Sequence, residues 1–293
     1  MRIGKLFHLT HFVEDVDAAD AFFAKVFEPT CWYRGYMELY HREASLLSVA
    51  EYVIEPFQPL APRPTDPGPS TFYRYLRRFG PRVHSLAFYV EGHEEIAERL
   101  VARGIRTTGG DLSAAVFPHP KDWPAMLELI ELGAPGPGGD PRLGDNAFDP
   151  TAWRSRGLGI ERNSHTTAVV HDHRRAAELY AAVLDGVVLP DQPTRTPGAA
   201  SSFVALGEDS MVELAQPLAA DGDLAEQLAT VGECWVGTTF LVDDLARATA
   251  HLDGVDVPWR PGVDGTVEID PRHSFTTTYA LTAEPLVGDP RLG

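Results

Sequence analysis

The chain has 293 residues, 44% hydrophobic and 23% charged, with a formal net charge of −17. That length exceeds one small core and suits two domains of roughly 140 residues, and the composition is that of a folded globular protein. The acidic balance excludes nucleic acid and anionic lipid as partners, since both need a basic surface, and serves solubility.

The opening segment, MRIGKLFHLTHF, lacks a continuous apolar stretch, so no signal peptide is expected. No apolar run reaches the roughly 18 residues of a membrane span. Two cysteines, Cys31 and Cys234, are too few and too far apart for a disulfide framework. A reducing, cytoplasmic setting is expected.

The first element is an alternating strand that runs through an acidic turn into an amphipathic helix, residues 7–27. Strand-like sequence follows over 36–56, then a proline-rich loop over 56–70 and a short helix, TFYRYLRRFG. The strand–turn–helix run returns over 83–104 and is followed by the strand AMLELIEL. Residues 133–163 are rich in Gly, Pro and Asp without periodicity and read as a linker or crossing segment. A third run spans 164–184, with strands over 201–217, and a fourth spans 236–254, with a last strand in SFTTTYALTAEP. Asp15, Glu91, Asp172 and Asp243 stand where an acidic side chain caps a helix and suits its dipole.

The hexapeptide Gly139–Gly144, Gly-Asp-Pro-Arg-Leu-Gly, recurs as Gly288–Gly293, so both halves end alike, as duplication would leave them. The unit is a strand, a helix, then several strands, four times over. This predicts an α+β protein of four curved sheets paired two by two. Its N-terminal domain is 1–135, its linker 136–160 and its C-terminal domain 161–293.

At this level the sequence resembles the vicinal oxygen chelate superfamily, which includes glyoxalase I, bleomycin-resistance proteins, methylmalonyl-CoA epimerase and extradiol dioxygenases. The resemblance lies in His8-Leu-Thr-His-Phe-Val-Glu-Asp15 and His165-Thr-Thr-Ala-Val-Val-His-Asp172. It lies also in the late strands Leu127-Glu128-Leu129 and Val212-Glu213-Leu214. It covers nearly the whole chain and implies tandem βαβββ modules, four in all, forming two glyoxalase-like half-barrel domains. It also implies a divalent metal (Fe, Mn, Zn or Ni) held by His and Glu on the first and late strands. The layout looks most like the one-chain extradiol dioxygenases.

His and Glu on facing strands are reasonable ligands for such metals, and a two-His, one-carboxylate face leaves positions open for substrate and O2. Alternation puts His8, Thr10 and Phe12 on one face, and Met126, Glu128 and Ile130 on one face. The register set by Val90 puts Ser85, not His84, on the cavity face, and a one-residue bulge would bring His84 there. The expected metal set is His8, His84 and Glu128, with His41 or the strand around Glu51–Glu55 as substitutes for the third ligand. In the C-terminal domain His165 and Glu213 are secondary candidates. Gly237 stands at the expected His position, and Tyr279 or a neighbouring Thr at the expected Glu position, which departs from the extradiol triad. Each histidine also has a plain structural reading as a hydrogen-bonded strand residue. Trp32, Tyr33, Tyr36 and Tyr40 either line a pocket or serve as ordinary strand residues.

These observations imply a divalent-metal-dependent enzyme acting on a small oxygen-bearing metabolite, by oxygenation, isomerisation or lyase chemistry. The alternative is a metal-free protein of the bleomycin-resistance type that binds and sequesters a small molecule. The surviving ligands place catalysis in the N-terminal domain and a degenerate scaffold in the C-terminal one. The partner is a small-molecule substrate or ligand, with a homodimer left open.

Overall fold

The computed structural model describes every residue except 39, 109–113, 135–137, 145–147 and 293, and every side chain of these except that of residue 264. Parts of the expected linker, residues 136–137 and 145–147, therefore lie outside the described residues.

The first module begins with β1 (Arg2–Phe12), whose two faces carry different chemistry. Leu6, Leu9 and Val13 face the helices and join the main core. Asp15 then caps α1 (Val16–Phe27), its carboxylate accepting from the amides of Asp17 and Ala18. Phe23, Val26 and Phe27 recur along the buried stripe of that helix. Three antiparallel strands complete the module: β2 (Thr30–Met37), β3 (Arg42–Val49) and β4 (Tyr52–Pro59). The second module holds β5 (Arg82–Glu91), α3 (His93–Val101), β6 (Thr107–Thr108), β7 (Ala115–Pro118) and β8 (Met126–Glu131).

The two modules join where β1 pairs antiparallel with β5, giving one eight-stranded sheet in the order β2-β3-β4-β1-β5-β8-β7-β6. The second half repeats this. Its elements are β9 (Ile160–Val169), α4 (His173–Leu184), β10 (Val187–Val188), β11 (Ala199–Leu206), β12 (Ser210–Pro217), β13 (Cys234–Val242), α6 (Leu245–Gly254), β14 (Trp259–Pro261), β15 (Val267–Ile269) and β16 (Thr278–Thr282). Its sheet order, β10-β11-β12-β9-β13-β16-β15-β14, matches the first strand for strand. The architecture is thus α+β, with four βαβββ modules forming two half-barrels, as the repeats predict.

One helix stands between the modules of each half: α2 (Thr71–Phe79) in the first and α5 (Asp223–Val231) in the second. The reading above finds α2 but not α5. The apolar spacing Leu224, Leu228, Val231 carries the signal for α5, weakened because no residue of that helix is buried.

Two cap expectations need correction. Glu91 does not cap α3; Gly92 is its N-cap, and the Glu131 carboxylate accepts from the amides of Gly92 and His93. Asp244, not Asp243, caps α6, while Asp243 pairs with Arg247.

The repeated hexapeptide does the same job twice. Arg142 pairs with Asp140 at 2.6 Å and donates to the carbonyls of Glu51 and Phe7. Arg291 pairs with Asp289 at 2.7 Å and donates to the carbonyls of Asn163, Ser164 and Asp209. Both ion pairs are almost wholly buried. Each arginine thereby satisfies backbone acceptors of the first strand and the adjoining hairpin.

The main core runs through both halves, from Phe23 and Ile54 to Phe240, Tyr279 and Leu252. Polar contacts cross it as well. Buried His11 lies 2.9 Å from the Tyr279 hydroxyl and 3.0 Å from the Thr277 hydroxyl, and the Trp235 indole donates to the Met126 carbonyl.

Candidate functional site

The concave face of each sheet carries the same three residues in the same register. In the first half these are His8, Thr10 and Glu55. The Thr10 hydroxyl donates to Glu55 Oε2 at 2.9 Å and lies 3.1 Å from His8 Nδ1, which is 3.3 Å from that carboxylate. In the second half they are His165, Thr167 and Glu213. Thr167 donates to Glu213 Oε2 at 2.9 Å, and His165 Nε2 lies 3.5 Å from it. The partner of each histidine is therefore the late-strand glutamate of its own module. For His165 this is the expected Glu213. For His8 it is Glu55 in place of Glu128.

Burial shapes these groups electrostatically. It holds His165 down to about 4, with Glu213 opposing and Arg195 and Arg291 assisting, so the imidazole is neutral near pH 7. His8 is lowered too, chiefly by burial, with Glu55 opposing. Glu213 accepts from five side-chain or backbone donors in addition to facing its histidine: the hydroxyls of Thr167, Thr194, Thr196 and Ser201 and the amide of Arg195. A carboxylate so surrounded is fully satisfied as an anion.

The bulge that would turn His84 inward is present. Thr10 pairs with Ser85 and His11 with Val83, leaving His84 as the extra residue. His84 stacks on Phe12 at 4.4 Å, with Phe72 and Tyr75 of α2 edge-on to its ring. Burial pulls its pKa to about 4. In register it lies between Thr10 and His11, and its ring turns toward Phe12 and α2 while His8 meets Thr10 and Glu55. Glu128 sits on the concave face beside Ala87, the pairing partner of His8. Burial and the neighbouring Glu55 push it up to about 7, with Arg42 opposing. The structure thus brings His8 to Glu55, places His84 among aromatic rings, and leaves Glu128 next to a second carboxylate. His41 is on the surface, bonded to Tyr36 and the Ala61 carbonyl.

The halves differ in what fills them. In the first, Phe12, Phe57, Phe72, Tyr75 and Leu76 form a cluster that α2 presses against His84. In the second, Val169 pairs with Ala215 as Phe12 does with Phe57, and Val236 is the bulge residue of β13 as His84 is of β5. Three rings become three small side chains. This half holds a cavity of about 710 Å³, roofed by α5 and lined by His165, Thr167, Val236, Thr239 and Thr278 with Arg195 and Arg82. That volume falls within the range of small-molecule sites. The open half is thus the C-terminal one, opposite to the half that the surviving ligands favoured in the sequence.

The fold's usual metal does not fit the donors present. Among the described residues, no three His, Cys, Asp or Glu side chains are gathered as a metal-holding group. In the C-terminal half, Thr167 pairs with Gly237 and His165 with Thr239, which in turn pairs with Ala280. Ala280 thus occupies the register of Glu128, in correction of Tyr279 or a neighbouring Thr. Tyr279 points away into the core toward His11. A Cβ on Gly237 would overlap the Thr278 carbonyl oxygen, so the strand pairing itself disfavours a histidine there. Trp32 and Tyr33 pack on the cluster formed by Phe7, Leu46, Val53 and Ala87, while Tyr36 and Tyr40 are exposed.

No known family profile matches the chain, and neither does any curated protein sequence. Among solved structures, it is similar over 95% of its length to a triple mutant of 4-hydroxymandelate synthase from Streptomyces coelicolor. The identity is 17%, 92% of that chain is covered, and the TM-score is 0.63. It is also similar over 95% of its length to a xylose isomerase-like TIM barrel/4-hydroxyphenylpyruvate dioxygenase fusion protein. There the identity is 15%, 49% of that chain is covered, and the TM-score is 0.57. These likenesses show the fold, two tandem glyoxalase-like half-barrels of βαβββ modules.

Proposed function

We propose that the chain is an enzyme of the glyoxalase/dioxygenase fold that acts on a small oxygen-bearing metabolite in its C-terminal half-barrel. The observation that carries this reading is the cavity itself, lined by His165 and Thr167, with buried Glu213 behind them, bonded to Thr167 and 3.5 Å from His165. Two proteins of the same fold are by name a synthase and a dioxygenase fusion, which supports an enzyme.

The donors do not suit a metal, and proton transfer is the chemistry this site supports. His165 is held neutral, and with Nε2 facing Glu213 the nitrogen left to accept a substrate proton is Nδ1, which must exchange its 3.0 Å contact with the Ser164 hydroxyl to do so. Glu213 stabilises the imidazolium that forms and keeps the ring in place. The hydroxyls of Thr239 and Thr278 face the cavity and are able to hold the substrate's oxygens. Isomerisation and elimination both begin with such a step.

A second reading is favoured by the recurrence of the His–Thr–Glu set in the filled N-terminal half. On that reading the set is scaffolding, and the cavity binds and sequesters a small molecule without turnover. The two are separated by exposing chelator-treated protein to a panel of small hydroxy, keto and carboxylic acids and following product by mass spectrometry. Multiple turnovers lost in His165→Gln support the enzyme. Stoichiometric capture without product, unchanged in His165→Gln, supports sequestration.

A further inference from the structure

The C-terminal cavity borrows part of its wall from the other half of the molecule. Arg82, the first residue of β5, lines it beside α5. The segment before it is tied to the C-terminal half, where the Thr276 hydroxyl donates to the Pro81 carbonyl. Three arginines line the cavity, and they differ in what neutralises them. Arg260 pairs with Glu268 at 2.8 Å, and Arg195 has a Glu284 oxygen at 3.5 Å. Arg82 has neither. Its Nη2 donates to the neutral Gln227 side chain at 3.0 Å, and its Nε is buried without an acceptor. Among the described residues no carboxylate forms an ion pair with it.

A partly buried guanidinium held by one amide oxygen is incompletely satisfied, and a planar two-oxygen anion is the group that completes it. The ligand's charge is set by what else is near. Asp221, Asp223 and Glu226 stand along the roof helix and its approach, and the whole chain is strongly acidic. That surrounding field disfavours a dianion more than a monoanion.

We infer that Arg82 anchors a carboxylate on the small molecule that occupies the C-terminal half-barrel, with Gln227 of α5 positioning the guanidinium. This rests on the placement of the site in that cavity. The N-terminal half thereby supplies a specificity residue for the C-terminal site.

The test uses benzoate, its uncharged isostere benzamide, and phenyl phosphate, titrated into the full chain by calorimetry and by the arginine Nε–H signals of labelled protein. Benzoate is expected to bind at least about tenfold more tightly than benzamide, the worth of one charge-assisted contact, and more tightly than phenyl phosphate. Arg82→Gln removes the anchor. Gln227→Glu places a carboxylate against Arg82 from an exposed helix, without touching the barrel core. Both variants are expected to erase the preference for benzoate while benzamide binding stays unchanged. Thr239→Trp fills the cavity and is expected to abolish binding of every probe. Equal binding of benzoate and benzamide, or a preference that survives both variants, overturns the anchor and leaves the cavity standing. Tighter binding of phenyl phosphate overturns the carboxylate assignment. No probe binding at millimolar concentration, or binding untouched by Thr239→Trp, refutes the cavity reading and the anchor with it.

Discussion

His11 links the two halves through a buried imidazole, and replacing it with glutamine gives a sharp pH signature. The ring is fully buried, 2.9 Å from Tyr279, 3.0 Å from Thr277 and 3.2 Å from the Phe275 carbonyl. Burial lowers its pKa from 6.5 to about 4, opposed only by the Phe275 carbonyl. The folded chain therefore keeps the ring neutral while the unfolded chain protonates it below 6.5. The associated stability is whole above pH 6.5, falls as pH drops toward 4, and is constant below that. The loss is about 3 kcal/mol at about 1.4 kcal/mol per pH unit. His11→Gln removes the titration and weakens the hydrogen bonding, at a cost of about 1–2 kcal/mol near pH 7.5. The wild-type and variant stability curves are then expected to cross at about pH 5.5, with the variant more stable below. Urea unfolding of both proteins from pH 4 to 8 measures this, and the other buried histidines cancel in the difference. Parallel curves would refute the reasoning, because they would mean that His11 titrates alike in both states.

Glu128 gives the opposite sign. Its pKa is pushed from 4.5 up to about 7, so its contribution is intact below pH 4.5 and is lost as pH rises through 7. Glu128→Gln is expected to gain about 3 kcal/mol at pH 8 and nothing at pH 4 in the same assay. Arg142→Met and Arg291→Met each strip a buried pair and several backbone acceptors, and each is expected to cost about 3–5 kcal/mol. Their effects are expected to add in the double variant, since the sites lie in different halves; losses below about 1 kcal/mol would show that the repeated hexapeptide is ornamental. Gly237→His supplies the ligand type that the sequence resemblance implies there, yet it is expected to cost about 1–3 kcal/mol by overpacking against β16 and to confer no metal uptake, read by denaturation and metal content.

The fold was legible because the period-two strands, helical stripes and acidic turns repeat four times, and the repeated Gly-Asp-Pro-Arg-Leu-Gly marked the two halves. Cap positions were right at Asp15 and Asp172, where the side chain serves its own helix, and displaced where Glu131 reaches in from another strand. His8 and Glu128 were legible as concave-face residues from alternation, and His165 and Glu213 from the strand patterns that carry the resemblance. The partnership of His8 with Glu55 was less so, although Glu55 and Glu213 stand at nearly equal offsets from their histidines. The halves part where Phe12, Phe57 and His84 of the filled half become Val169, Ala215 and Val236 across the duplication, Val236 lining the cavity. That comparison exists only once the bulge and strand registers are fixed. Arg82 was invisible because it acts outside its own module, and no local pattern encodes a contact with Gln227 in the other half.

The most direct test of the central claim compares chelator-treated wild-type protein with Thr239→Trp on the same acid panel, reading both bound ligand and product. Activity or capture is expected in the wild type without added metal, and loss of both in Thr239→Trp with the fold intact by circular dichroism. Function that persists in Thr239→Trp, or that appears only after metal is restored, would contradict a site built by the C-terminal half-barrel's own side chains.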